Sequence, residues 1–204
     1  LQPLADAAAV DLARTRAEGA GALWQDRALW QVEPVREGWG PVSPTGHVIH
    51  DTLTARLSPR HAAVALVAAI RALGGEAVVG DAPVEGAVVH ATGVEGLAEL
   101  SAALGHPVGG AVKGQAAVLR FDARDQPQIF ADGLHIVPHG DGTVAIGSTS
   151  ENQWQEAHAT DDQLQALIDR ARLVCPMLAD APVIERWAGL RPRARSRAPM
   201  LGAW

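Results

Sequence analysis

Apolar positions recur at helical spacing in three stretches of the chain. Over residues 4–17, Leu4, Ala8 and Leu12, with Ala5 and Ala9 beside them, predict a first helix. The second has clearer ends: Ser58 is a capping residue, Pro59 suits the first helical position, and Gly74-Gly75 stops the helix. Between them, residues 61–73 are mostly Ala, Val, Ile and Leu, which predicts a helix packed on a sheet rather than one lying in solvent. The third starts at Thr160 with Gln163 three residues on, a capping box, and runs through Leu164, Leu167, Ile168 and Ala171 to Pro176.

Short apolar runs between these stretches predict strands. Residues 77–79 and 87–90 follow the second helix closely, an order that fits the edge of an α/β layer. Residues 117–121, 134–138 and 143–147 are separated by polar turns, the signature of antiparallel strands. Gly140-Asp141-Gly142 closes a hairpin between the last two, with Leu134 and Ile136 on one face and His135 and Val137 on the other. A last strand over 183–188 leads into Gly189-Leu190-Arg191-Pro192. The stretch to Gly46, holding Trp24, Trp30, Trp39, Pro34, Pro41 and Pro44, reads as short strands and loops. The fold class is α/β with α+β character: an antiparallel sheet with helices, beside a helix-and-strand layer.

Composition narrows the function classes. A chain of 204 residues with 48% hydrophobic and 20% charged residues is globular rather than disordered, and no run approaches a membrane span. The net charge of −6 argues against a nucleic-acid partner. The single cysteine, Cys175, excludes an internal disulfide framework and a Cys-based zinc site. With no secretory pattern, a cytoplasmic location is expected. Tyrosine is absent, Lys113 is the sole lysine, and the chain opens on Leu1 rather than Met. That opening suggests a piece of something longer.

Nucleotide motifs fail. Gly19-Ala20-Gly21 begins like GxGxxG, but Trp24 holds the third glycine's place and no strand precedes it. Lys113-Gly114 is in the wrong order for a phosphate-binding loop. His135 and His139 flank Pro138 and share no helix face, while His47 and His50 read as hydrogen-bonded loop residues, so no metal is expected. Arg191, Arg193, Arg195 and Arg197 alternate along an extended segment, which fits a solvated strand edge or an anion contact. Arg191 differs, because glycine before it and proline after it fix a position from which a guanidinium can be aimed at a carboxylate.

Several segments together resemble the D-amino acid oxidase family of flavoproteins, above all its glycine oxidase branch, the thiamine-biosynthesis type included. They are Ser58-Pro59-Arg60, Val88-Val89-His90-Ala91-Thr92-Gly93, Val112-Lys113-Gly114-Gln115, the hairpin Leu134–Pro138 and Thr143–Thr149, and Trp187-Ala188-Gly189-Leu190-Arg191-Pro192 with Pro199 and Leu201-Gly202 beyond. The resemblance implies an FAD enzyme that oxidises a small amino acid, glycine or a D-amino acid, to a 2-oxo acid, ammonia and hydrogen peroxide. It implies a substrate-binding domain over 1–47 and 106–186 and a partial, Rossmann-like FAD-binding domain over 48–105 and 187–204. Arg191 matches the family's carboxylate clamp, with His135 and Ser150 lining the substrate side. Val84, Thr92, Gly93 and Gly189 fall on the flavin side. No residue takes a catalytic step, since the chemistry belongs to the cofactor.

The departures are specific. His135 stands where the pattern carries tyrosine, Ser150 where a methionine lines the pocket, and Ala194 and Ser196 where threonine and aspartate follow GLRP. The family's N-terminal GxGxxG unit and its C-terminal flavin segment are missing, so the chain alone is expected to be colourless and inactive. The alternatives are an oxidase or dehydrogenase of N-methyl or larger D-amino acids, and a non-catalytic binding module that lost its cofactor site. The expected partner is a small amino acid, and the resemblance leaves room for a homo-oligomer.

Overall fold

The computed structural model describes residues 1–80, 82–83 and 85–202. The chain divides into two compact units, one made of Leu1–Arg56 with Lys113–Leu190, the other of Leu57–Val112 with the residues from Arg191 on.

The first unit contains a small antiparallel sheet and the greater part of a larger one. The smaller joins β1 (Gln2–Pro3), β2 (Trp30–Pro34) and β3 (His47–Asp51) in the order β1-β3-β2. Helix α1 (Ala7–Trp24) covers it, burying Val10 and Ala13, with Leu4, against Trp30, Val32 and Ile49. This helix differs from the expected span of 4–17. Asp6 caps it by accepting from the Ala9 amide at 2.8 Å, so Leu4 stays outside. Gly19 and Gly21 then fall inside the helix, because each costs only about 1 kcal/mol against alanine and buried neighbours outweigh that.

The larger sheet has the order β5-β6-β7-β4-β8, formed by β4 (Gly109–Arg120), β5 (Ile129–Ala131), β6 (Leu134–Pro138), β7 (Thr143–Gly147) and β8 (Val183–Ala194). The β6–β7 hairpin forms over the expected residues. Asp141 accepts from the Thr143 amide and hydroxyl, and Gly142 takes the positive φ that the turn needs. Registers Ile136↔Ile146↔Ala117 and Pro138↔Val144↔Leu119 set one face of the sheet against α4 (Asp162–Val174) and a short 3-10 turn, Pro176–Leu178. Leu164, Leu167, Ile168 and Ala171 of α4 bury themselves there. Each fully buried large apolar side chain contributes roughly 1.5–3 kcal/mol. Trp39 ties the Trp-rich loop to this core, stacking on Phe121 and donating its indole N–H to the Pro127 carbonyl at 2.8 Å.

Three boundaries in the larger sheet and α4 depart from the sequence reading. The strand expected over 117–121 begins at Gly109, because the glycines before it pair as strand despite their low propensity. The strand expected over 183–188 continues to Ala194, and Pro192 is tolerated because β8 is an edge strand. The cap of α4 is Asp161, which accepts from the Gln163 amide at 2.9 Å, rather than Thr160. Asp161 wins because its carboxylate also receives the Gln115 side chain.

The second unit holds α2 (Pro59–Ala72), α3 (Gly93–Leu104), the start of β4 and the end of β8. α2 keeps its expected ends, but it buries no residue, and Val64, Leu66 and Ile70 are exposed. The expectation of a helix packed on a sheet therefore fails. Hydrophobic content records a preference for burial and does not supply a partner. Residues 77–79 and 87–90 form no strand, since a run of three or four residues is a strand only where another pairs with it. α3 was not foreseen from the sequence, because Gly93 and Gly96 argue against a helix. At Gly96 a Cβ would lie 1.9 Å from the Thr92 hydroxyl, so a larger residue there needs the Thr92 side chain to turn away. No helix among the described residues is long and apolar enough to cross a membrane.

Candidate functional site

The face of the larger sheet turned away from α4 carries the chemistry that the sequence singled out in the first unit. Its cross-strand partners are Phe130↔His135↔Gly147↔Ala116 and Val137↔Ala145↔Val118, so these residues share one side of the pleat. Apart from His135 they are half-buried and small or apolar. His135 is exposed, and its ring lies 4.7 Å from that of Phe130, tilted by 43°. The contact limits the imidazole's rotation while leaving it open to a ligand.

Ser150 is exposed and follows β7. The segment that carries it is tied to β4 on both sides. The Thr149 amide donates to the Gln115 carbonyl at 3.2 Å, and the Gln115 amide returns a bond to the Thr149 hydroxyl at 2.8 Å. Glu151 and Lys113 exchange backbone bonds at 2.9 and 3.0 Å.

Beneath this segment lies a polar cluster that sequence reasoning missed. Lys113, Gln115 and Glu151 are buried at 3%, 0% and 9% exposure, which requires them to satisfy one another. Gln115 Nε2 donates to Glu151 Oε1 at 3.0 Å and to Asp161 Oδ1 at 2.8 Å, while Gln115 Oε1 accepts from the Asp161 amide at 2.9 Å. The Thr149 hydroxyl donates to Glu151 Oε1 at 2.5 Å, and the Lys113 ammonium stands 3.7 Å from Glu151 Oε2. The Gln115 side chain, the Gln163 amide and Lys113 together hold the Asp161 carboxyl below its ordinary value. The clue was present in the sequence: the only lysine and a glutamine stand in a strand whose other members, up to the closing Arg120, are glycine or apolar.

The remaining candidates lie on other elements. Arg191 and Gly189 are on β8, Arg191 exposed and Gly189 half-exposed with no atom within 4 Å of a Cβ built on it. Thr92 and Gly93 begin α3, with Gly93 at a φ of +65°. Val84 lies outside the described residues. His47 and His50 are on β3, where His47 Nδ1 is 2.9 Å from the Thr45 carbonyl and His50 Nδ1 is 3.2 Å from Glu33 Oε1. Burial pushes the Cys175 thiol up, which keeps it protonated at neutral pH and marks it as a core residue.

Comparison with known proteins adds a second line of observation. The family model for FAD dependent oxidoreductases, DAO, matches residues 2–204. A glycine oxidase of Pseudomonas aeruginosa is 35% identical over 92 residues, 45% of this chain and 25% of that protein. A bifunctional ThiO/ThiG protein of Trichormus variabilis is 36% identical over 74 residues, 36% of this chain and 11% of that protein. Among solved structures, the glycine oxidase from Geobacillus kaustophilus superposes with a TM-score of 0.49 at 28% identity, over 55% of this chain and 31% of its own. The matched region thus spans a quarter or less of the length of these two curated relatives.

Proposed function

Because the chain belongs to the FAD dependent oxidoreductase family, we propose that it forms the substrate side of an enzyme that oxidises a small amino acid. The substrate is glycine or a D-amino acid, and the products are a 2-oxo acid, ammonia and hydrogen peroxide. Arg191 carries the reading. It is exposed on β8, and the backbone around it is restrained by Pro192 within Trp187-Ala188-Gly189-Leu190-Arg191-Pro192. A planar guanidinium presents two parallel N–H donors to a carboxylate, and a carboxylate gripped in this way fixes the direction of the Cα–H bond. His135, braced by Phe130, and Ser150 are the further substrate contacts in this proposal, each able to donate a hydrogen bond. The glycine oxidase names of the relatives support the same substrate class. Residues 1–47 with 106–186 then serve the substrate and 48–105 with 187–204 the flavin, in the cytoplasm.

FAD is the family's cofactor, and Thr92, Gly93 and Gly189 keep their proposed place on its side. By themselves they do not enclose a dinucleotide. A Rossmann cradle needs a strand, a glycine turn and a helix in immediate succession. Here Gly93 opens α3 with no strand over the preceding residues 87–92, and a Cβ built on it meets nothing within 4 Å. No step is therefore routed through the cofactor on these residues.

Two measurements test the proposal. In the protein produced from the intact gene, Arg191→Ala should raise KM for the amino acid about 10- to 150-fold, the equivalent of the ~1.5–3 kcal/mol of a charged hydrogen-bonding contact. Peroxide release would be followed with glycine, sarcosine and D-alanine, and an unchanged KM for the best of them would remove Arg191 from the clamp. The 204-residue chain itself should elute colourless from gel filtration. A flavin absorption band that co-elutes with it would show that these residues hold the cofactor unaided.

A further inference from the structure

The arginines beyond Arg191 converge on a recess that the amino-acid reading does not use. After β8 ends at Ala194, residues 194–197 turn back on themselves, closed by the Arg197 amide donating to the Ala194 carbonyl at 2.9 Å. The Arg195 amide donates to the Val108 carbonyl at 2.8 Å, which pins this turn to the residues entering β4. Between the two lies a cavity of about 280 Å³ lined by Arg193, Arg195, Arg197 and the stretch Gly109-Gly110-Ala111, with Pro107 and Ala194 completing it. No residue of that lining is acidic, in a chain whose net charge is −6.

The backbone is shaped for this approach. A Cβ on Gly109 would stand 2.7 Å from the Arg193 carbonyl oxygen and 2.9 Å from Leu97 Cδ1, so only glycine allows the two segments to come so close. Gly110 has ordinary backbone geometry, and a Cβ there meets nothing within 4 Å, which leaves part of the recess wall as bare main chain. Three guanidinium groups around such a recess offer more charge and more donors than one carboxylate can use. They suit a tetrahedral, multiply charged anion.

We propose that the Arg193–Arg195–Arg197 recess is a binding site for a small phosphate-bearing molecule, with the anion seated against Gly109-Gly110-Ala111. It is separate from the carboxylate role of Arg191 and independent of the oxidase reading, since occupancy requires neither an amino acid nor a flavin. The guanidinium groups supply the attraction and the ordered turn supplies the preorganisation.

The test is calorimetric titration of the 204-residue chain with inorganic pyrophosphate and with inorganic phosphate at low ionic strength. Saturable binding is expected, stronger for pyrophosphate and weakening steeply as salt is added. Arg195→Ala with Arg197→Ala should lower the affinity at least about tenfold, whereas Arg14→Ala with Arg16→Ala on α1 should leave it unchanged. Gly110→Val keeps every charge and adds a side chain to the recess wall, so it should also weaken binding while circular dichroism and thermal unfolding stay as in the parent chain. Absence of saturable pyrophosphate binding would overturn the proposal, as would full retention of binding in either recess variant. Tighter binding, phosphate for phosphate, of a single-stranded oligonucleotide that is indifferent to Gly110→Val would also overturn it, because a charged surface rather than a recess would then be at work.

Discussion

At the scale of single residues, the buried pair Lys113 and Glu151 is the most consequential feature of the first unit. Their side chains are 4% and 8% exposed, and Glu151 also accepts from Gln115 and Thr149. Removing one partner leaves the other charge buried without compensation. Glu151→Ala should therefore destabilise the chain by about 3–5 kcal/mol. The double variant Lys113→Met with Glu151→Gln removes both charges yet keeps an acceptor for Thr149, and it should cost clearly less than Glu151→Ala alone. Urea unfolding midpoints decide between them, and equal losses in the two variants would show that the charges themselves matter little. The same cluster fastens Thr149 and Glu151 on either side of Ser150. Ser150 is thus presented from a braced segment rather than from a free loop.

At the scale of elements, α4 joins the core to that cluster. Its apolar stripe packs on β6 and β7, while its first turn is capped by Asp161, whose carboxylate also binds Gln115. The hydrogen bond from Gln115, followed by that from the Gln163 amide, lowers the Asp161 carboxyl from its ordinary value. A carboxyl depressed in the folded state contributes stability that is fully present above its unfolded value, ~3.9. That contribution is lost as pH falls through the lower folded value. Acid unfolding of the parent chain should therefore be steeper below about pH 4 than that of Asp161→Asn, which keeps an acceptor but no titrating carboxyl. Parallel acid limbs in the two proteins would remove Asp161 from the set of groups that carry acid sensitivity.

At the scale of the whole molecule, the two units differ in how their helices are held. α4 is anchored by Leu164, Leu167, Ile168 and Ala171, whereas α2 buries no residue and α3 buries only Leu97. Helices of 12–14 residues are marginal in water without tertiary packing. The amides of α2 should accordingly exchange with solvent much faster than those of α4 in native-state hydrogen exchange by mass spectrometry. Comparable protection in the two helices would mean that α2 is stabilised by contacts beyond its own exposed apolar face.

Much of this was legible in the residues, and the failures have physical causes. The β6–β7 hairpin, the ends of α2 and the apolar stripe of α4 were readable because alternation, Pro-to-Gly punctuation and helical spacing are local signals. The family resemblance was readable from ordered motifs, and the match over residues 2–204 bears it out. The strands expected at 77–79 and 87–90 and the buried face expected for α2 depended on partners, which local pattern does not report. The sequence by itself determined where helices can begin and end, which strand faces are apolar, the lone lysine in its motif and the alternating arginines. Only the tertiary structure decided that Lys113, Gln115, Glu151 and Asp161 meet beneath Ser150, and that Arg193, Arg195 and Arg197 close on Gly109 and Gly110. Those groups lie tens of residues apart, and burial and hydrogen bonding between distant segments are fixed by how the chain packs, not by any window along it.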